Sequence, residues 1–145
     1  MKRWRWVGLD LLYAVHDRQL AEHGGLGGVR DQAAVESALA APKQLAAYGR
    51  ADAAALAAAY VYAVARNHGF TDGNKRAAWV AARVFLADNG YTIAFEPAEA
   101  VGMVEAVAAG TRPQEKVASW FRERIQRRKP RIATRRRSKR ARKRS

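Results

Sequence analysis

The 145-residue chain has no cysteine, only four prolines and only thirteen acidic residues. Without cysteine there can be no disulfide and no thiolate zinc site. Long apolar runs are missing too: none approaches the roughly 20 residues that a membrane-spanning helix needs. The opening stretch, MKRWRWVGLDLLYAV, is basic and then partly apolar, but Asp10 interrupts it and no small-residue cleavage site follows, so it does not read as a secretion signal. These absences point to a cytoplasmic protein with no membrane partner.

Acid is outnumbered by 27 Lys and Arg, for a formal net charge of +14. That figure hides an uneven distribution. Residues 127–145 carry twelve of the basic residues and no acid, which leaves fifteen basic against thirteen acidic residues in 1–126, a net of +2. The sequence therefore divides into one nearly neutral domain, 1–126, of ordinary domain length, and a basic tail, 127–145. Twelve like charges in nineteen residues repel one another and bury nothing, so the tail is expected to be disordered. It contains no aromatic residue on which a base could stack, so contact with RNA or the ribosome would be non-specific and driven by counterion release.

Within the domain, Leu9, Leu12, Tyr13, His16 and Leu20 recur at helical spacing, which predicts a helix over 9–23. Gly24, Gly25, Gly27 and Gly28 end it. Asp31 can cap a second helix over 32–41, which Pro42 is expected to stop. Residues 42–51 (PKQLAAYGRA) lack a clear period and read as a loop or short hairpin. Asp52 caps an alanine-rich helix over 53–67, and a further helix runs from Asn74 to Asp88, closed by Asn89-Gly90. Tyr91 to Phe95 is β-branched and aromatic enough to be extended. Pro97 opens a helix to Ala109 and Pro113 another to Arg127, with Val117, Trp120, Phe121 and Ile125 on one face. The fold class is all-α, with a short hairpin or extended flap and the disordered tail.

The chemistry concentrates in residues 68–76, HGFTDGNKR, where a loop runs into the start of a helix. A helix N-terminus has unpaired N–H groups and a partial positive charge, and so binds anions. Gly73 lets a phosphate come close to the backbone. Asn74 can bond a phosphate oxygen or hold the loop's shape. Lys75 and Arg76 add positive charge, and Arg76 can grip phosphate with two parallel bonds. Asp72 supplies a hard oxygen ligand suited to Mg²⁺. His68 can take a proton from an attacking hydroxyl, and Phe70 can pin the loop to the core. Taken singly, each of these residue types is more often structural or solvated than functional. In this order and within nine residues they supply what phosphoryl or nucleotidyl transfer requires.

The stretch resembles the pattern H-x-F-x-D/E-G-N-K/G-R of the Fic/Doc (Fido) superfamily, with His68, Phe70, Asp72, Gly73, Asn74 and Arg76 in place. The resemblance extends to GGLGGVRDQAAVESALAAPKQLAAYG (24–49) and AAAYVYAVARNHGFTDGNKRAAWVAARVFLADNGY (57–91), and covers roughly residues 9–125. Two features are those of the Doc (death-on-curing) branch: lysine at position 75, and Trp79 where AMP-transferring Fic proteins carry a second arginine. The Doc branch implies a toxin that transfers the γ-phosphate of ATP to a threonine of elongation factor Tu or another translation protein. His68 would then be the base, Asp72 the Mg²⁺ ligand, and Gly73, Asn74, Lys75 and Arg76 the phosphate-binding group, with Lys75 also counted as catalytic. The Fic branch implies AMP transfer instead, and a catalytically silent module that pairs with an antitoxin or binds RNA is a third reading. The resemblance also places a target-docking flap at 42–51, where Lys43, Gln44 and Tyr48 could contribute to strand addition. Gly24, Gly25, Gly27, Gly28, Arg30, Asp31, Glu36 and Ser37 read as structural.

Some Fic proteins restrain themselves with S/T-x-x-x-E-G/N. Near matches such as Thr92…Glu96-Pro97 and Thr111…Glu115-Lys116 fail at the last position. Restraint in trans by a Phd-like antitoxin is therefore expected.

Overall fold

The computed structural model describes residues 3–129. Six helices and two short strands follow in the order α1 (Leu9–His23), α2 (Gln32–Tyr48), α3 (Ala53–Asn67), α4 (Asn74–Asp88), β1 (Tyr91–Ile93), α5 (Pro97–Ala108), α6 (Gln114–Arg122) and β2 (Ile125–Arg127). The all-helical class holds. No helix among the described residues is long and apolar enough to cross a membrane.

Helix α3 is the axis of the domain, and α2, α4, α5 and α6 all pack against it. Its composition allows this. Ala57 and Ala58 are fully buried, as are Ala77, Ala78, Ala81 and Ala82 on α4. Methyl side chains let the two helix backbones approach closely, and alanine also favours the helix intrinsically. Larger side chains fill the space around this seam. Tyr60, Phe85, Phe121 and Leu56 are fully buried. Trp6 stacks on Phe85 at 5.8 Å and Trp4 tilts against it at 5.7 Å. The Tyr60 hydroxyl accepts a hydrogen bond from Val7 N at 2.9 Å, and burial pushes its pKa up to about 12. The N-terminal segment is thus fastened to the core at Val7.

Asp52 caps α3 by accepting from Ala55 N at 2.9 Å, as its position in the sequence suggests. The same carboxylate receives Arg122 from the end of α6. One side chain thereby starts the central helix and ties it to the last one.

Four expectations are corrected. Pro42 does not end α2, which continues to Tyr48. An internal proline removes one helical bond and usually costs about 3 kcal/mol or more. Here Pro42 is itself buried, and Leu45 and Ala46 beyond it pack on the core, so tertiary burial carries the helix past the lost bond. The hairpin or flap expected at 42–51 is consequently absent from that segment, and Lys43, Gln44 and Tyr48 lie on the last turns of a helix. The structure does contain a two-stranded antiparallel pair, but it is β1 with β2, in the register Tyr91↔Arg127, Thr92↔Gln126 and Ile93↔Ile125. Helix α6 accordingly stops at Arg122 rather than Arg127. Finally, residues 127–129 belong to the folded part. Arg127 pairs with Tyr91, and Arg128 N donates to Gly90 O at 2.8 Å. The remainder of the basic tail, 130–145, lies outside the described residues.

Candidate active site

The loop 68–73 joins the end of α3 to the start of α4, and three features of its sequence fix its path. His68 caps α3 in the left-handed conformation (φ 49°, ψ 42°), the only non-glycine with positive φ among the described residues. Such a conformation is costly for an L-residue and tends to persist where surrounding contacts impose it. Gly69 then passes directly under the first turn of α2. A Cβ there would overlap Val35 Cγ2 and lie 3.0 Å from Val35 N. Gly73 (φ 80°, ψ 16°) forms the N-cap of α4, a backbone geometry that glycine adopts without strain.

Between these glycines the loop is held from both sides. On one side, Val29 bridges to Phe70, Gly69 O accepts from Arg30 N (2.9 Å) and Asp31 N (3.0 Å), and Thr71 N donates to Gly28 O (3.2 Å). The glycine-rich segment read as structural is therefore a brace for the loop, and Asp31 also caps α2 by accepting from Ala34 N at 3.1 Å. On the other side, α1 supplies His16, only 2% exposed. Its ring stacks on Phe70 (3.8 Å, 10°), and its Nε2 lies 2.6 Å from the Asp72 carbonyl oxygen. Phe70 is 1% exposed, as expected of an anchor.

Asn74 closes the loop on itself. Its Nδ2 donates to Phe70 O at 3.0 Å and its Oδ1 accepts from Phe70 N at 3.1 Å. Of the two roles open to this side chain, holding the loop is the one its bonds perform, which leaves its backbone N–H for an anion. The first helical bond of α4 runs from Ala77 N to Gly73 O (3.0 Å). The N–H groups of Asn74, Lys75 and Arg76 therefore have no partner within the helix. Asp72 Oδ1 accepts from Gly73 N at 2.8 Å, and Oδ2 lies 3.4 Å from Leu26 N.

A cleft of about 930 Å³ opens over this helix start. His68, Asp72, Gly73, Asn74, Lys75 and Arg76 all line it, and His68, Asp72, Lys75 and Arg76 are exposed to it. The residues expected from the loop motif are thus brought together on one surface: a proton acceptor, a carboxylate, two cations and a row of free N–H groups. Lys43, Gln44 and Tyr48 are not among the cleft's lining residues.

The opposite wall was not foreseen. Helix α5 contributes Ala100, Val101, Val104 and Glu105, and α1 contributes Gln19 and His23. For α1 a signal was available, since 16, 19 and 23 fall on one helical stripe that is polar where the core face should be apolar. For α5 none was, because its small apolar residues look like any core face. Trp79 also lines the cleft. It belongs to an aromatic cluster with Phe95 (5.0 Å), Trp120 (5.9 Å) and Phe121 (6.1 Å), so an apolar ring stands where the resemblance would place a second arginine in an AMP-transferring relative.

The sequence matches the Fic/DOC family over residues 6–86, a span that includes the whole loop and most of α4. It is 32% identical over 119 residues to "Protein kinase doc" of Escherichia phage P1, covering 81% of this chain and 94% of that protein. It is 45% identical over 74 residues to "Toxin Doc" of Mycolicibacterium smegmatis (strain ATCC 700084 / mc(2)155), covering 49% of this chain and 56% of that protein. The chain belongs to the Fic/DOC family, in its Doc branch.

Proposed function

We propose that the protein is a Doc-type toxin, a protein phosphotransferase that moves the γ-phosphate of ATP to a hydroxyl side chain of a translation protein and so halts translation. Elongation factor Tu is the first candidate target. The observation that carries this reading is the shared cleft, in which His68 and the anion-binding start of α4 face the same space. The similarity to a protein named as a kinase, over 81% of the chain, supports it.

In this reading His68 accepts the proton of the target hydroxyl. The freed oxygen attacks the γ-phosphorus, the bond from that phosphorus to the β–γ bridging oxygen breaks, and ADP leaves with that oxygen. Lys75, Arg76 and the unpaired N–H groups at the start of α4 hold the phosphates and meet the charge that develops on them. Asp72 fits a Mg²⁺ that arrives with the nucleotide. It is an exposed hard-oxygen donor held in place by Gly73 N–H. Among the described residues there is no cluster of three or more acidic, His or Cys side chains for a metal. A Mg²⁺ that arrives with a nucleotide needs only one or two protein carboxylates, its remaining ligands being phosphates and water. Trp79 favours phosphate over AMP transfer, because the cleft then lacks a clamp for one further phosphate.

The lack of an S/T-x-x-x-E-G/N motif leaves restraint to a second protein, for which a Phd-like antitoxin is the candidate. Arg128 N donates to Gly90 O just beyond the C-terminus of α4, and the opposite end of that helix, about 22 Å away along its axis, forms the cleft. Non-specific contact with RNA or the ribosome through the basic residues of the tail requires nothing from the cleft. Removing 130–145 should then weaken a salt-sensitive association with ribosomes while leaving ATP-dependent transfer intact.

The test is a cell-free translation reaction. The protein should stop synthesis in the presence of ATP, and His68→Ala and Asp72→Ala should each abolish the block while remaining folded. Inhibition that survives both substitutions would contradict an enzymatic mechanism and favour a binding module.

A further inference from the structure

His16 is the only buried polar or charged residue among those described, at 2% exposure. A polar ring held so deeply has a partner to satisfy, and here the partner belongs to the site. We infer that His16 is a positioning residue that sets the direction of the Asp72 carboxylate by locking the peptide plane between Asp72 and Gly73.

The chain of contacts is short. A carbonyl oxygen only accepts, so His16 Nε2 carries the proton and donates to Asp72 O at 2.6 Å. That oxygen and the Gly73 N–H belong to one planar trans peptide and point in opposite directions. Fixing the carbonyl therefore fixes the N–H, which donates at 2.8 Å to Asp72 Oδ1. The imidazole is itself immobilised by its stack on Phe70 at 3.8 Å, and it lies against Gly73, where a Cβ would come within 3.4 Å of the ring. A helix-borne side chain thus controls a loop carboxylate that it does not touch. The consequence for Mg²⁺ rests on the role proposed for Asp72 above; the lock on the peptide plane does not.

Two variants separate the donor from the ring. His16→Phe keeps a flat ring against Phe70 and removes the N–H, whereas His16→Gln places an amide N–H near the Nε2 position and removes the ring. Two readouts are needed. One is hydrogen exchange at the Gly73 amide, followed by NMR on the full chain. The other is the Mg²⁺ concentration that half-saturates phosphate transfer. The loss of one hydrogen bond corresponds to about tenfold in an equilibrium. His16→Phe should therefore exchange the Gly73 amide about tenfold faster and need about tenfold more Mg²⁺, and His16→Gln should restore most of both. Unchanged Gly73 exchange in folded His16→Phe overturns the inference. So does a His16→Gln protein as unprotected at Gly73 as His16→Phe, since the ring rather than the donor would then be what matters. Should His16→Phe fail to fold, His16→Gln decides alone: normal protection at Gly73 supports the lock, and lost protection contradicts it. If the wild-type protein transfers no phosphate, the proposed function fails, and the Gly73 exchange still tests the lock.

Discussion

The side chain of Asn74 returns to Phe70 with two hydrogen bonds, donating to its carbonyl at 3.0 Å and accepting from its N–H at 3.1 Å. A residue at the start of α4 thus spends its amide group on the shape of the loop before it. Lys75, next along the helix, is exposed and lines the cleft.

The two positions should respond differently to truncation. Asn74→Ala leaves two backbone groups of Phe70 without their partners and should lower stability by about 1–3 kcal/mol in urea unfolding. Lys75→Ala removes a surface cation and should change stability by no more than about 0.5 kcal/mol. Both should reduce transfer at least tenfold, Asn74→Ala by disordering the loop and Lys75→Ala by weakening the hold on phosphate. A stable, fully active Asn74→Ala protein would show that the loop does not depend on this clamp.

Gly69 offers a second test of loop placement. A methyl group there would overlap Val35 at the first turn of α2. Gly69→Ala should cost about 1–3 kcal/mol through overpacking, read as a lower thermal midpoint. Val35→Ala in the same chain should recover part of that loss, because it removes the Cγ2 atom in the way. Absence of any recovery would mean that the strain lies elsewhere.

The Asp52 carboxylate takes two bonds from Arg122, Nε to Oδ2 at 2.8 Å and Nη2 to Oδ1 at 3.0 Å. The Arg122 side chain holds the Asp52 pKa below its ordinary value of 3.8, against the opposing effect of partial burial. A lowered carboxylate pKa adds stability above the unfolded value, and that stability is lost as pH falls through the folded value. Asparagine caps a helix about as well as aspartate, so Asp52→Asn removes the ion pair and keeps the cap. Both side chains are about half exposed, at 51% each, so the difference at neutral pH should be below about 1 kcal/mol. It should shrink as pH drops below 3.8. Chemical denaturation of both proteins at pH 7 and pH 3 checks this, and a gap that widens in acid would have the wrong sign.

Much of this fold was legible because its signals are local. The limits of α1, α3 and α4 follow from Asp52, from the glycines after His23 and from Asn89-Gly90, and the cleft residues at the start of α4 lie within nine consecutive positions. What escaped depends on distant partners. Helix α2 survives Pro42 because Leu45 and Ala46 find the core. Ile125 looks helical beside Phe121, yet it pairs with Ile93 more than thirty positions earlier. The same holds in the site. His16 has the spacing of a core residue, and only the fold reveals the carbonyl it faces. The wall formed by α5 is small and apolar apart from Glu105, so it carries little polar signature.

The central claim is that this cleft moves the γ-phosphate of ATP to a protein hydroxyl, with His68 as the base. The most direct measurement incubates the protein and elongation factor Tu with Mg²⁺ and ATP labelled either at the α- or at the γ-phosphate, with His68→Ala in parallel. The account predicts stable label on the target from γ-labelled ATP only, and none with His68→Ala. Label retained only from the α position would contradict it and identify the protein as an AMP transferase.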